Sequence, residues 1–257
     1  MFKKILKVAW YAAIFSFAIY SVQQKFVSAE ESHINFPSKW PDLSPVCLDA
    51  GIYQRTVRVG TKYAYGSGLF IDSQHILTVA HLRERSEPKK VYEIQSYITP
   101  NVIYKAHAIG IDYYNDLMLL KLEKPIDFKL NGNIKVKMRV PGNTAATMGY
   151  HSEYIIMHHA GETFPVPACY DGITNGSYTA PGWNSESFVW PGMSGGPTID
   201  VADGSLIGLN NKVGFRKEDI KRGIQYVKYL RSQHATGAAI ARMLTRHKLD
   251  FTLIKAI

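Results

Sequence analysis

The sequence predicts an all-β protein. Short runs rich in Val, Ile and Tyr recur along most of the chain, separated by turn residues every ~8–15 positions. Glycine and tyrosine are abundant, 20 and 16 of 257 residues, a bias toward turns and pleated surfaces. Apolar residues fall at helical spacing in one clear stretch only, near the C-terminus. Together these observations point to an antiparallel barrel or sandwich. With 46% hydrophobic and 20% charged residues, the chain can bury one large core or the cores of two packed halves.

The N-terminus is a separate piece. Lys3, Lys4 and Lys7 precede an uncharged run, Val8 to Val22, followed by Val27-Ser28-Ala29. The run is 15 residues long, shorter than the ~20 of a membrane-spanning helix. A basic start, a short apolar stretch and a small-x-small site describe an export signal cut after Ala29. The rival reading of residues 1–29 is an uncleaved membrane anchor. Either reading places the body of the protein outside the cytoplasm, as a secreted, periplasmic or cell-surface protein. Residues 1–29 hold four lysines and no acids, so their removal leaves +5 of the formal charge of +9. That residual charge, unaccompanied by any nucleic-acid motif, reads as a solvated basic face.

The remaining elements follow in order. Residues 30–50 form an arm or linker, punctuated by Pro37, Pro41 and Pro45. The domain spans residues 51–257. Tyr53–Val59 alternates and predicts a strand, and Gly66-Ser67-Gly68 leads into Leu69-Phe70-Ile71. Asp72–His75 is a turn before the strand Ile76–Val79. Val91–Ile98, Ile103–Ile109 and Leu117–Leu122 continue the series. Lys124–Lys137, with Pro125 and Asn131-Gly132-Asn133, is a long polar loop and the expected boundary between two halves. The second half is read as strands at Ala145–Tyr150, Tyr154–His158, Thr163–Cys169, Phe188–Trp190, Thr198–Val201 and Leu206–Asn210. Asp203-Gly204 is a hairpin signal between the last two. Thr236–His247 is the helix, with Ala239, Ile240, Met243 and Leu244 on one face.

Three segments carry chemistry. Gly192-Met193-Ser194-Gly195-Gly196-Pro197 sets one serine among glycines, which let the backbone turn sharply and bring its N–H groups close to a carbonyl. Serine is a poor nucleophile unless a base lies within hydrogen-bond reach and a third group fixes that base. His81 ends the apolar strand Ile76–Ala80, and Asp116 opens the apolar run Leu117–Leu120. Each stands at a strand end, where a side chain can be held at the edge of a core. Taken singly, each motif also fits an ordinary loop or turn.

These segments, with Gly66–Ile71, resemble the signature segments of trypsin-like serine peptidases, nearer to the bacterial and viral members than to animal digestive enzymes. The resemblance runs from about Ile52 to Leu249. It implies two six-stranded antiparallel β-barrels with the active site between them, plus a C-terminal helix. By this resemblance His81 is the general base and acid, Asp116 orients it, and Ser194 is acylated. The backbone N–H groups of Gly192 and Ser194 would form the oxyanion hole. A protein or peptide is the implied substrate and no cofactor is needed. A membrane would be a partner only if the N-terminal segment is retained.

The chain departs from digestive enzymes in two places. Met193 stands where they carry an aspartate, and no Ile-Val-Gly-Gly-like start is present, which argues against activation by that ion pair. Phe188 stands six residues before the serine, where trypsin has an aspartate, which argues against an Arg/Lys preference. Asn210, Asn211 and Lys212 are expected near the substrate backbone, with His234 or Gly237 approaching from the next strand.

Other readings stay open at this stage. A non-catalytic binding module on a protease scaffold would keep the same fold. Gly192-Met193-Ser194-Gly195-Gly196 also fits the G-x-S-x-G pattern of an α/β-hydrolase esterase, with Asp219 and His234 downstream. That fold needs a helix directly after the serine, and Pro197 followed by a β-rich run opposes one. His151, Glu153, His158 and His159 form no metal-ligand spacing, and neighbours on a strand point to opposite faces. Cys47 and Cys169 admit one disulfide if the fold brings them together.

Overall fold

The computed structural model describes residues 51–60, 65–83, 91–138, 144–150, 155–159, 162–179, 182–185, 189, 192–214 and 231–254. All of them belong to one unit, Leu43–Ile257. The expected signal segment, the whole arm at residues 30–50, Phe188 and Trp190 lie outside the described residues. So do Asp219, His151 and Glu153.

The first half is a closed barrel of six strands. They are β1 (Thr56–Gly60), β2 (Tyr65–Phe70), β3 (His75–Thr78), β4 (Val91–Ser96), β5 (Thr99–Asp112) and β6 (Leu117–Leu122). The ring order is β1-β2-β3-β6-β5-β4, every neighbour is antiparallel, and β1 against β4 closes it. The expected strand at Tyr53–Val59 is corrected: Gly51–Arg55 is a short helix, α1, and β1 starts only at Thr56. The Arg55 guanidinium explains the change. It donates to Phe70 O, Ile71 O, Asn131 O and Gly132 O, so the backbone must turn inward to seat it.

Side-chain alternation in this barrel serves two cores. Phe70, Ile76, Met118 and Leu120 pack inside with Val57, Val59, Tyr92 and Ile94. Their neighbours Leu69, Ile71, Leu77, Leu117 and Leu119 face outward and join a second cluster with Ile134, Val136, Met148, Ile199 and Leu209. A strand covered on both faces needs a continuous apolar run, and Leu117–Leu120 is one.

Residues 123–134 lead from this barrel to β7 (Lys135–Lys137). The second half holds β8 (Thr144–Gly149), β9 (Ile155–His159), β10 (Glu162–Val166), β11 (Ala168–Thr179), β12 (Gly182–Ser185), β13 (Pro197–Asp200), β14 (Leu206–Gly214) and β15 (Arg231–Thr236). The order β13-β8-β11-β12-β15-β14 returns to β13 through a β13–β14 pairing, making a second six-stranded ring. All its pairings are antiparallel. Gly204, at φ +67°, turns the chain between β13 and β14, where the Asp203-Gly204 signal predicts a hairpin. β9 and β10 form a separate hairpin.

The helix α2 (Gly237–Arg246) follows β15 directly. Thr236 caps it, its hydroxyl accepting the Ala239 N–H at 3.1 Å. Ala239, Ile240, Met243 and Leu244 are buried, as the periodicity predicts. The chain then adds β16 (Thr252–Ile254), parallel to β7, which itself lies parallel to β14. Among the described residues no helix is long and apolar enough to cross a membrane.

Candidate active site

His81 lies in a 3₁₀ turn (Ala80–Leu82) just beyond β3. Its imidazole is 42% exposed, whereas the Asp116 carboxylate facing it is only 14% exposed. His81 Nδ1 lies 2.7 Å from Asp116 Oδ2, and the His81 backbone N–H donates to Asp116 Oδ1 at 2.9 Å. Both carboxylate oxygens therefore serve one residue. An ionised carboxylate is acceptor-only, so Nδ1–H is the donor of this contact, and in a neutral ring that tautomer leaves the lone pair on Nε2.

Asp116 reaches this position through an unusual backbone. Its φ is +53°, in the left-handed region that Asp and Asn visit more readily than other non-glycine residues. Buried Asn115 prepares the turn, donating its N–H (3.0 Å) and Nδ2 (2.7 Å) to the Asp112 carboxylate. The Asp116 carbonyl accepts from Ala80 N–H at 3.2 Å, which ties the end of β3 to the start of β6.

Ser194 sits in the turn before β13, half-buried. Gly192 has φ +95° and Gly195 φ +87°. A Cβ at Gly195 would also collide with Ser67 O, so glycine is required there twice over. The turn rests on the first barrel: Ser67 N–H donates to Ser194 O at 2.7 Å, and Thr78 Oγ1 donates to Ser67 O at 2.6 Å. Thr78 lies three residues before His81, so the serine turn and the histidine stand on the same edge of that barrel. Among the described residues Ser194 makes no hydrogen bond to His81. The N–H groups of Gly192 and Ser194 likewise donate to no acceptor among the described residues.

The residues expected at the substrate pocket divide. Asn210 is 1% exposed; its Nδ2 donates to Met148 O (3.1 Å) and Met193 O (3.3 Å). Its backbone accepts from Gly195 N–H (2.6 Å) and donates to Gly196 O (2.9 Å). His234 is fully buried, its Nδ1 3.0 Å from Thr198 Oγ1. The Thr198 hydroxyl donates its one proton to Asn210 Oδ1 at 2.9 Å, so His234 Nδ1–H is the donor of that pair. Asn211 is buried at a bulge in β14, opposite no residue of β15, and Lys212 pairs in register with Gln233. Gly237 opens α2 rather than extending β15. Among the described residues no three His, Cys, Asp or Glu gather to hold a metal ion.

Sequence reasoning missed the inward role of Asn210 and the grip of Ser67 on the serine turn. An asparagine in an apolar strand, Leu206–Leu209, and a serine between two glycines were the available signals.

The model of the trypsin-like peptidase domain matches residues 66–209, more than half of the chain. The chain belongs to the trypsin-like peptidase family. The trypsin-like fold also appears in solved structures. The inactive form of the Rv3671c protease superposes with a TM-score of 0.53 at 16% identity, covering 79% of this chain and 92% of that one. The serine endoprotease from Yersinia pestis does so with a TM-score of 0.56 at 18% identity, covering 82% and 68%. A search of curated proteins finds no match. The α/β-hydrolase reading is overturned: a strand, β13, follows Ser194, and both barrels are antiparallel where that fold needs a strand-turn-helix.

Proposed function

We propose that this chain is an exported serine endopeptidase acting through His81, Asp116 and Ser194. The observation that carries the reading is the double contact between His81 and Asp116, which leaves Nε2 as the basic nitrogen. His81 takes the Ser194 hydroxyl proton as Oγ attacks the scissile carbonyl. Asp116 then stabilises the imidazolium. The carbonyl oxygen, now negative, is received by the N–H groups of Gly192 and Ser194. Collapse breaks the C–N bond, and His81 returns the proton to the departing amine. Water, activated by the same nitrogen, hydrolyses the acyl-Ser194 ester. Catalytic hydrogen bonds are often long before substrate arrives, and substrate must draw Ser194 Oγ and His81 Nε2 together.

Export belongs to the same proposal, resting on the lysine-led apolar segment with a cut after Ala29. So does a Cys47–Cys169 disulfide: Cys169 is buried and holds no free thiol, and Cys47 is the other cysteine of the sequence. Phe188, Asn211 and Lys212 are the proposed substrate contacts, while buried Asn210 holds the serine turn and buried His234 bonds Thr198.

Labelling by a fluorophosphonate probe tests the reading. Wild-type protein should become labelled and Ser194→Ala should not. Folded wild-type protein that stays unlabelled would favour a binding module on a protease scaffold.

A further inference from the structure

The serine of Gly66-Ser67-Gly68 is fully buried in β2, outside the three residues assigned to chemistry. Its hydroxyl accepts the Tyr150 N–H at 2.7 Å and lies 2.9 Å from Gly192 O. A hydroxyl has one proton, and the Tyr150 contact uses an oxygen lone pair, so that proton goes to Gly192 O. The same residue's N–H donates to Ser194 O at 2.7 Å. Ser67 therefore grips the carbonyls at both ends of Gly192-Met193-Ser194. The middle carbonyl, Met193 O, accepts from Gly196 N–H at 3.0 Å and from Asn210 Nδ2 at 3.3 Å. All three carbonyls of the turn are thus held inward.

In a planar trans peptide the C=O and N–H point in opposite directions. With Met193 O held inward, the N–H of Ser194 must point away from the protein interior. With Gly192 O held by Ser67, the peptide that follows Gly192 is restrained, and Gly192 itself keeps a left-handed conformation at φ +95°. Gly192 and Ser194, whose N–H groups are proposed to receive the oxyanion, are the two residues whose carbonyls Ser67 holds.

We propose that Ser67 is a positioning residue of the oxyanion hole, its hydroxyl holding the Gly192 carbonyl so that the turn's N–H groups stay aimed at the reacting oxygen. This rests on the serine-peptidase reading above. Ser67 touches no substrate and no member of the His81–Asp116 pair. Its loss should therefore lower stabilisation of the tetrahedral state without altering ground-state binding or the ionisation of the base. Removing one oxyanion donor typically costs ~10²–10³-fold in rate, and a donor left in place but loosely aimed should cost about 10²-fold or less.

The test compares wild type, Ser67→Ala and Ser67→Cys on one peptide substrate, each normalised by active-site titration. The expected result is a fall in kcat of roughly 10- to 100-fold for Ser67→Ala, with KM and the acid limb of the pH profile unchanged. Ser67→Cys, which keeps a weak donor, should be intermediate. Inhibition by a peptide aldehyde, whose hemiacetal oxygen occupies the hole, should weaken in parallel with kcat. Full kcat with only a lowered melting temperature would overturn the proposal, as would a shifted acid limb. If Ser67→Ala does not fold, Ser67→Cys decides by the same criteria. Failure of the wild type to turn over any substrate would sink the serine-peptidase reading instead. Amide exchange then decides the role of Ser67: faster exchange confined to Gly192–Ser194 in the variant supports it, and unchanged exchange overturns it.

Discussion

Asp116 combines two demands that few residues meet. It must present a carboxylate to both the ring and the backbone of His81, and it must do so at φ +53°. Asparagine tolerates that backbone nearly as well, so Asp116→Asn should fold normally. The amide, however, can favour the wrong His81 tautomer. We expect kcat to fall by about 10⁴ with little change in KM, measured on a peptide substrate beside a thermal melt. A variant within tenfold of wild type would contradict the role assigned to the carboxylate. The local settings of His81 and Ser194 were legible in the sequence, because a histidine ending an apolar strand and a serine among glycines both have local signatures. Asn210 and Ser67 were not legible in the same way. Their importance comes from carbonyls far along the chain, and no local pattern encodes those partners.

At the scale of elements, apolar runs and turn residues located the strands well where a strand is buried. The expected strands Ile76–Val79 and Leu117–Leu122 match β3 (His75–Thr78) and β6 closely. Elements without that signal were missed. Ala168–Thr179 is one twelve-residue strand although it holds Gly172, Asn175 and Gly176, because pairing with β8 and then β12 supplies what propensity does not. β7 and β16 escaped notice since each is three residues long and forms only by parallel pairing with a distant segment. The helix α2 was legible from its apolar face, and the structure adds a cap from the Thr236 hydroxyl. Thr236→Ala removes that cap and should cost about 1 kcal/mol. Urea unfolding should show a lower midpoint at an unchanged slope. An unaltered midpoint would mean that the cap contributes nothing.

Over the whole molecule, the link between barrels is fastened by charge as well as by apolar packing. Lys137, on β7, donates to Asp200 and Asp203, each at 2.8 Å, and the Asp200 carboxylate is 2% exposed. These hydrogen bonds hold the lysine above its ordinary value. Burial works to raise the Asp203 carboxyl, but hydrogen bonds from Lys137 and Ser205 outweigh it and hold the group below its ordinary value. Its contribution is therefore whole above the ordinary 3.8 and is lost as pH falls through the lowered value. Lys137→Met strands a buried carboxylate and should cost about 3–5 kcal/mol at neutral pH. That deficit should shrink in acid, once wild type has lost the ion pair too. Melting curves of both proteins from neutral pH to below pH ~3 would show it. A deficit that stays constant across the range would assign the loss to packing instead.

The dependence of the serine turn on Ser67 bears on how the molecule matures. The first barrel is closed by strands that are all made before Ser194 leaves the ribosome. The turn that carries Ser194 rests on β2 through Ser67. On the proposed mechanism, a chain that ends before Ser194 carries no nucleophile for His81 and Asp116 to serve. On that reading cutting requires the turn to be docked on β2, so the first barrel alone is inert.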